Sequence, residues 1–211
     1  MKEPITSLTD FALALEGFFF AYVVFTQGSL AHKESWGVFF VLLSLGAALG
    51  GLYHGFTWKH QHLLWFLVTA FLLFAMSFFP QALGSLHRNN ITWPSLITKT
   101  LLMMALFILF LSAWLKSFQF PFCWVLIFEG CILLICFVLT FYIFASGNSL
   151  IALFLALGFC ASIIAALFQT RLFGSSFWIF KHNDVFHIIQ IVGLVFFFMS
   201  WKTSLSQRSL L

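Results

Sequence analysis

Charged side chains are scarce in this chain, and their scarcity excludes a soluble domain. Only 8% of the 211 residues are Asp, Glu, Lys or Arg, while 62% are hydrophobic and the mean hydropathy is +1.05. A soluble domain carries about 25% charged residues, so this composition cannot supply a water-facing surface. The net charge of +4 is too small and too scattered to indicate a nucleic-acid partner. The composition predicts a protein whose main partner is the lipid bilayer.

Several signatures of catalysis and cofactor binding are also missing from the sequence. The chain contains no GxSxG, P-loop, HExxH or dinucleotide-binding motif. Its four cysteines lie inside apolar runs without CxxC spacing, which predicts buried small side chains rather than a disulfide framework. Histidines and acids therefore remain as the candidates for chemistry.

Seven apolar runs, each about as long as a bilayer-crossing helix, fill the chain. A spanning helix needs about 20 mostly apolar residues, and polar turns separate the runs. The first run contains Asp10 and Glu16 and has no small-residue cleavage site, so it predicts a membrane helix rather than a signal peptide. The predicted helices cover residues 8–27, 36–57, 63–79, 96–115, 122–144, 150–168 and 184–201. We expect an all-α fold, a single polytopic membrane bundle of seven transmembrane helices.

Basic residues do not orient the predicted bundle. With seven crossings, the N-terminus and the second, fourth and sixth loops share one face, which we call side A. Lysine and arginine divide five against five between the faces, so the positive-inside rule gives no orientation. Side A carries Lys2, Lys59, Lys116, Arg171 and Lys181, and the opposite face carries Lys33, Arg88, Lys99, Lys202 and Arg208.

Ionisable residues of the predicted helices gather in the half of the bilayer next to side A. Such residues are costly at membrane depth and are candidates for function by default. They lie in the first helix, at the end of the second, early in the fifth and at the start of the seventh. In that order they are Asp10, Glu16, His54, Glu129, His182, Asp184 and His187. The clustering predicts one functional site at this end of the bundle.

The start of the seventh helix predicts a polar face. Asp184, His187 and Gln190 recur every three residues and therefore share one side of a helix. His182 can lie at the same site only if the start of the helix is unwound at that residue. Asn183 or Asp184 can instead cap the helix, but capping explains neither His187 nor Gln190.

Histidines and a carboxylate together are typical zinc ligands, and a catalytic zinc keeps a fourth position for water. Three ligands and a proton-transfer group can be drawn from one set of four residues. These are His54, His182, Asp184 and His187. The residues alone leave the choice among them open.

Two short motifs around these histidines resemble the CREST superfamily of seven-helix membrane hydrolases. One is Gly50-Gly51-Leu52-Tyr53-His54, and the other is His-Asn-Asp-Val-Phe-His-Ile-Ile-Gln over 182–190. The second motif looks like that of a bacterial branch with an HND-x-x-H-x-x-Q pattern. The superfamily includes the alkaline ceramidases, the progestin and adipoQ receptors and the Per1-like GPI-remodelling proteins. The resemblance covers the whole chain in helix count and these two motifs in detail.

The resemblance implies a zinc-dependent hydrolase acting on a lipid amide or ester in a bacterial inner membrane. In the superfamily one helix-two histidine and two helix-seven histidines hold the zinc. His54 and His187 match this pattern, whereas the other helix-seven position is Asn183 in this chain. His182 or Asp184 would then complete the metal site.

The chain departs from the superfamily pattern at two further positions. Gly50 stands where the superfamily has a serine, and the third helix has no acid near its start. Asp184, Asp10 or Glu16 would have to replace that acid, and we expect Asp184 or Glu16 to transfer protons. The residues expected to surround and support the ligands are Gln190, Asn183, Asp10 and Glu129.

A non-enzymatic function is the alternative. The same acids and histidines would then line the polar cavity of a transporter, a proton relay or a receptor-like bundle.

Overall fold

The protein is a helical bundle with one short β-hairpin, seen in a computed structural model that describes residues 2–29, 32–86, 93–114, 122–170, 176–177 and 180–209. Within these ranges seven long helices form, which confirms the predicted all-α fold. A π-helical turn, Lys33–Gly37, continues directly into the second helix. The helices are α1 Pro4–Gln27, α2 Val38–Gly55, α3 Gln61–Ser85, α4 Trp93–Trp114, α5 Phe122–Ala145, α6 Ser149–Gln169 and α7 His182–Ser209.

Six of these helices are long and apolar enough to cross a bilayer, which fits an integral membrane protein. They are α1, α2 with its π-helical turn, α3, α5, α6 and α7. The described apolar part of α4 is shorter and covers Ile97–Leu109. The described residues therefore contain six helices that can span a membrane.

The helices form a closed ring in which α4 has no place. Around the ring, α1 packs on α2, α2 on α3, and α3 on α5. The ring continues from α5 to α6 and from α6 to α7, and α7 packs on α1. α4 packs against α3 on the outside of this ring. Six helices therefore surround the interior of the bundle.

Small residues on α2 let α1 approach closely. A Cβ atom on Gly55 would lie 2.6 Å from Ser7 Oγ, and one on Gly50 would lie 3.1 Å from Asp10 Oδ1. The Ser7 hydroxyl also donates to the carbonyl of Gly51 at 2.8 Å. The glycines of α2 thus serve helix packing, as their spacing predicts, and they bring Asp10 against α2.

Three helices extend beyond a predicted bound by four or more residues. α1 begins at Pro4 rather than at residue 8, α3 continues through Pro80, where it was expected to stop, to Ser85, and α7 continues to Ser209 rather than ending at residue 201. An apolar run marks only the part of a helix that faces lipid, so polar ends escape it. Proline interrupts only part of the hydrogen-bond ladder, which membrane helices tolerate because their neighbours support the backbone.

A β-hairpin that the sequence did not predict leads into α7. Strand β1, Ser176–Phe177, pairs antiparallel with β2, Phe180–Lys181, and the next residue begins α7. The hairpin places Lys181 beside the N-terminal segment of the chain. Arg88, Lys116 and Arg171, which entered the orientation argument, lie outside the described residues.

Candidate functional site

A cavity of about 290 Å³ lies inside the ring of six helices. The lining is polar at the end of the bundle that was predicted on side A, where α1, α5 and α7 begin and α2 and α6 end. It is apolar toward the opposite end of the bundle. The polar lining residues include Asp10, His54, Glu129, Gln169, Asn183, His187 and Gln190. The apolar ones include Leu43, Leu72, Met76, Phe79, Leu194 and Phe197. The cavity is therefore amphipathic along its length.

His54 is held in place by Glu3, which lies just before α1. His54 Nδ1 is 2.6 Å from Glu3 Oε2, and because an ionised carboxylate only accepts hydrogen bonds, Nδ1–H is the donor. The Glu3 backbone N–H donates to the His54 carbonyl at 3.0 Å, and Lys181 Nζ donates to Glu3 Oε1 at 3.2 Å. These contacts leave His54 Nε2 available to a ligand in the cavity.

The charge of Glu3 is stabilised by the same two partners. Burial raises the pKa of Glu3, but hydrogen bonds from His54 and Lys181 and electrostatic attraction to both side chains outweigh burial and hold this pKa below its ordinary value of 4.5. Glu3 is therefore a carboxylate at neutral pH and a fixed acceptor for His54.

His187 is buried between Thr9 and Asp10 of α1, with 8% of its surface exposed. The Thr9 hydroxyl can donate its proton to the Thr6 carbonyl at 2.9 Å. In one tautomer of neutral His187 the Thr9 hydroxyl donates to Nδ1, at 3.2 Å, and Nε2–H donates to Asp10. In the other, with the hydroxyl proton on the Thr6 carbonyl, Nδ1–H donates to Thr9 and a lone pair remains on Nε2.

That lone pair faces another acceptor. His187 Nε2 is 3.2 Å from Asp10 Oδ1, and Asp10 is buried, with 4% of its surface exposed. Asp10 Oδ2 is also buried and has no hydrogen-bond partner among the described residues. An imidazole lone pair and a carboxylate oxygen repel each other unless a proton or a metal ion lies between them.

The spacing of the two histidines is wider than in a closed metal site. Their ring centroids are 6.5 Å apart, so their nearest nitrogens are at least roughly 4 Å apart, whereas two nitrogens on one tetrahedral zinc are roughly 3.4 Å apart. Among the described residues, no three acidic, histidine or cysteine side chains lie close enough together to hold a metal ion as they stand. His187 and Asp10 have the spacing of two ligands, and His54 lies further away.

The structure brings part of the predicted site to the cavity. Asp10, Glu129, Asn183 and Gln190, expected to surround the ligands, line it together with His54 and His187. The lining does not include Glu16, His182 or Asp184.

Asp184 instead stabilises the start of α7. It is buried, with 1% of its surface exposed, and accepts hydrogen bonds from the Thr6 hydroxyl and from the Lys181 backbone N–H, the latter at 2.7 Å. A carboxylate on the third helical residue that bonds the preceding backbone N–H is half of a capping box. Capping, which the sequence left as an alternative, is thus the geometry seen for Asp184.

Sequence reasoning missed the polar face at the beginning of α1. Glu3, Thr6, Ser7 and Asp10 are spaced i, i+3, i+4 and i+7, so they share one side of a helix. They contact, in turn, His54, Asp184, Gly51 and His187. This periodicity was the available signal, and the search for apolar runs passed over it because it started the helix at residue 8.

Comparison with known proteins gives a family for the chain. Residues 5–205 match DUF6962, a family of unknown function, and the chain belongs to this family. No curated protein and no solved structure matches it. The matched region includes every residue of the cavity lining.

Proposed function

We propose that this member of the DUF6962 family is an integral membrane hydrolase that cleaves a lipid amide or ester at a zinc site in the polar part of the cavity. Asp10, His54 and His187 would hold the metal. The proposal keeps the two histidines that the CREST resemblance implies and takes Asp10 as the third ligand in place of His182 or Asp184. It includes seven crossings, with α4 as the seventh span, in a bacterial inner membrane.

The observation that carries the proposal is the contact between His187 Nε2 and Asp10 Oδ1. With the Thr9 proton on the Thr6 carbonyl, the His187 proton lies on the opposite nitrogen, and two acceptors then face each other at 3.2 Å. A zinc ion between them would satisfy both, and two atoms bound to one zinc have about this separation.

The donors around this contact also suit zinc. Two imidazoles and one carboxylate form a known catalytic zinc set. Zinc-bound histidines almost always donate their other N–H to an oxygen, which orients the ring, and Glu3 and Thr9 accept such bonds from His54 and His187. The space beside Gly50, where the superfamily has a serine, is occupied by the Asp10 carboxylate.

The remaining lining residues suit a lipid substrate. Zinc, when bound, supplies a Lewis acid that activates water for attack on a carbonyl. The side-chain amides of Asn183 and Gln190 face the cavity, where they can hydrogen-bond an amide or ester group, and Glu129 offers a carboxylate for proton transfer. The apolar lining binds the hydrocarbon part and keeps water from it.

Zinc binding requires one adjustment of the side chains. The His54 ring would have to approach His187 by at least about 1 Å to bring both nitrogens to zinc-ligand spacing.

A metal-free proton relay is the second candidate, and the same contact favours it. A proton shared between His187 Nε2 and Asp10 Oδ1 would also relieve the repulsion, and Glu129 lies on the same cavity. Such a protein would bind or transport a ligand without hydrolysing it. The two candidates differ in whether a metal is needed.

Hydrolysis in a defined bilayer tests the proposal. Purified protein in nanodiscs should release fatty acid from an N-acyl amide or an acyl ester, lose this activity with a zinc chelator and regain it with added zinc. Asp10→Asn and His187→Ala should fall to background, whereas His182→Ala and Glu16→Gln should retain activity. Release that persists in His187→Ala, or that ignores the chelator, would contradict the proposal.

A further inference from the structure

The apolar part of the cavity ends at a cluster of aromatic rings. Phe79 on α3 and Phe197 on α7 line the cavity, and no lining residue lies further along either helix from its N-terminus. Their ring centroids are 4.8 Å apart, and Phe159 on α6 packs edge-on to both, at 5.8 Å from Phe79 and 5.3 Å from Phe197. Phe39 on α2 stacks on Phe79 at 4.7 Å. Four helices therefore contribute to the wall that closes this end.

Phe197 owes its position in this wall to a glycine. A Cβ atom on Gly158 of α6 would lie 2.5 Å from Cε1 of Phe197. The ring therefore occupies the space left by the missing side chain, and any larger residue at position 158 would push it away from α6.

The distance between the polar site and this wall limits the length of a ligand. His187 and Phe197 are ten residues apart on α7, which corresponds to roughly 15 Å along the helix axis. A cavity of about 150 Å³ binds benzene, with six carbons, so a cavity of about 290 Å³, its polar end included, holds roughly a dozen non-hydrogen atoms. Both measures describe a site for one hydrocarbon chain of medium length.

Unpaired hydrogen-bond acceptors at the polar end of the cavity indicate which ligand groups it would bind. Asp10 Oδ2 and Gln169 Oε1 are buried acceptors without a hydrogen-bond partner among the described residues, and both residues line the cavity. Buried acceptors need donors, and an amide N–H or a headgroup hydroxyl supplies them.

We propose that the cavity binds a single-chain N-acyl amide whose acyl chain has about eight to ten carbons, with the amide beside Asp10 and the terminal methyl against Phe79 and Phe197. Phe197, held by Gly158, sets the chain length. The inference deepens the proposed function because it names the substrate class of the same site, but binding itself requires no turnover.

Binding of a homologous series of probes tests this inference. Saturated N-acylethanolamines with acyl chains of 4 to 18 carbons would compete with a radiolabelled decanoyl probe on protein in nanodiscs. A chelator would be present throughout, so that hydrolysis does not enter the measurement. We expect the tightest competition at about eight to ten carbons and at least about tenfold weaker competition at sixteen, because an overlong chain overpacks the closed end.

Two variants should move the optimum in opposite directions. Phe197→Ala opens the wall and should shift the optimum to longer chains by about four to six carbons, the size of the ring removed. If the alanine variant fails to fold, Phe197→Leu replaces it and should give a smaller shift in the same direction. Gly158→Ala should shift it to shorter chains. Phe198→Ala is the matched control, because Phe198 is a buried neighbour that stacks on Phe20 at 4.2 Å and does not line the cavity.

The outcomes separate this inference from the proposed function. Chain-length optima that respond to Phe197 and Gly158 uphold the inference even if no hydrolysis is found. Competition that rises steadily with chain length and is the same in every variant indicates partition into the bilayer and would overturn it, whatever the hydrolysis assay shows.

Discussion

At the scale of single residues, the site depends on where protons lie around His187. Thr9 has one hydroxyl proton, and the Thr6 carbonyl can take it. In the tautomer on which the proposed zinc site depends, His187 donates from Nδ1 to this hydroxyl and its Nε2 lone pair faces Asp10. A hydroxyl outside the set of expected ligands would thus control metal binding by the histidine.

Replacing Thr9 tests this assignment. Thr9→Val removes the acceptor while keeping the shape of the side chain, so His187 loses the bond that fixes its tautomer. We expect zinc affinity, measured by titration against a chromophoric chelator, to fall about 10- to 100-fold. Thr9→Ser restores the oxygen and should restore affinity, and equal affinity in Thr9→Val and Thr9→Ser would refute the assignment.

Glu3 gives the site a pH-dependent contribution to stability. Its pKa in the folded protein is lowered below the ordinary value of 4.5 by His54 and Lys181. A lowered folded-state pKa stabilises the protein at pH values above the unfolded-state pKa, and this stabilisation is lost as the pH falls below 4.5 through the folded-state value. Thermal unfolding should therefore show the protein more stable than Glu3→Gln at pH 7, with the difference shrinking in acid.

A matched substitution controls for the loss of one negative charge. Glu34 is exposed at the start of the π-helical turn, so Glu34→Gln should leave the pH dependence of unfolding unchanged. A difference between the protein and Glu3→Gln that stays constant from pH 7 to pH 3 would contradict the role given to Glu3.

Sequence reasoning could name the two histidines but could not decide which of the candidate acids contacts His187. His54 and His187 stand in recognisable motifs, whereas Asp10 and Asp184 are both acids near the same end of the bundle. Their roles follow from partners far away in the chain, since Thr6 bonds Asp184 across 178 positions and Gly50 leaves space for Asp10. Such pairings arise only when α1 packs between α2 and α7.

At the scale of elements, helix existence was predictable and helix ends were not. The seven apolar runs each correspond to a helix, because burial in lipid requires both apolar side chains and satisfied backbone groups. The first turn of α1 and the last turns of α7 are polar, and the hairpin before α7 is short, so hydropathy carries no signal for them. The missed first turn of α1 holds Thr6 and Ser7 and follows Glu3, which contacts His54.

The contact between α1 and α2 depends on the absence of a side chain at Gly50. A Cβ atom there would lie 3.1 Å from Asp10 Oδ1, so Gly50→Ala should displace the carboxylate by a few tenths of an ångström and weaken zinc binding about tenfold. Zinc titration of the folded variant measures this loss.

Gly130→Ala is the control for this substitution, because nothing lies within 4 Å of a Cβ atom at that position. It should change the free energy of unfolding by no more than about 0.5 kcal/mol and leave zinc affinity unchanged. Equal zinc affinities of Gly50→Ala and Gly130→Ala would show that the Asp10 carboxylate does not bind the metal from its position beside Gly50.

At the scale of the whole molecule, six helices enclose the cavity and α4 stands outside them. This arrangement explains why α4 contributes no described residue to the site. The remaining role for α4 is to set the number of times that the chain crosses the membrane. If α4 crosses the bilayer as the seventh span, the two ends of the chain lie on opposite faces of the membrane.

Terminal tags test the number of crossings. Protease added to sealed inverted vesicles should remove a tag from only one end of the chain, and protease added to right-side-out vesicles should remove the other tag. Removal of both tags from the same side would mean an even number of crossings. That result would contradict the arrangement in which α5, α6 and α7 bring their polar residues to the same end of the bundle as His54, and the proposed site would fail.

The central claim, a zinc ion held by Asp10 and His187 rather than by Asp184, is tested most directly by metal content. Protein purified after zinc supplementation and analysed by elemental mass spectrometry should hold about one zinc per chain. Asp10→Asn and His187→Ala should lose the metal while circular dichroism shows them folded, and Asp184→Asn and His182→Ala should keep it. Zinc that is absent from the unsubstituted protein, or that stays in Asp10→Asn and leaves with Asp184→Asn, would contradict the account.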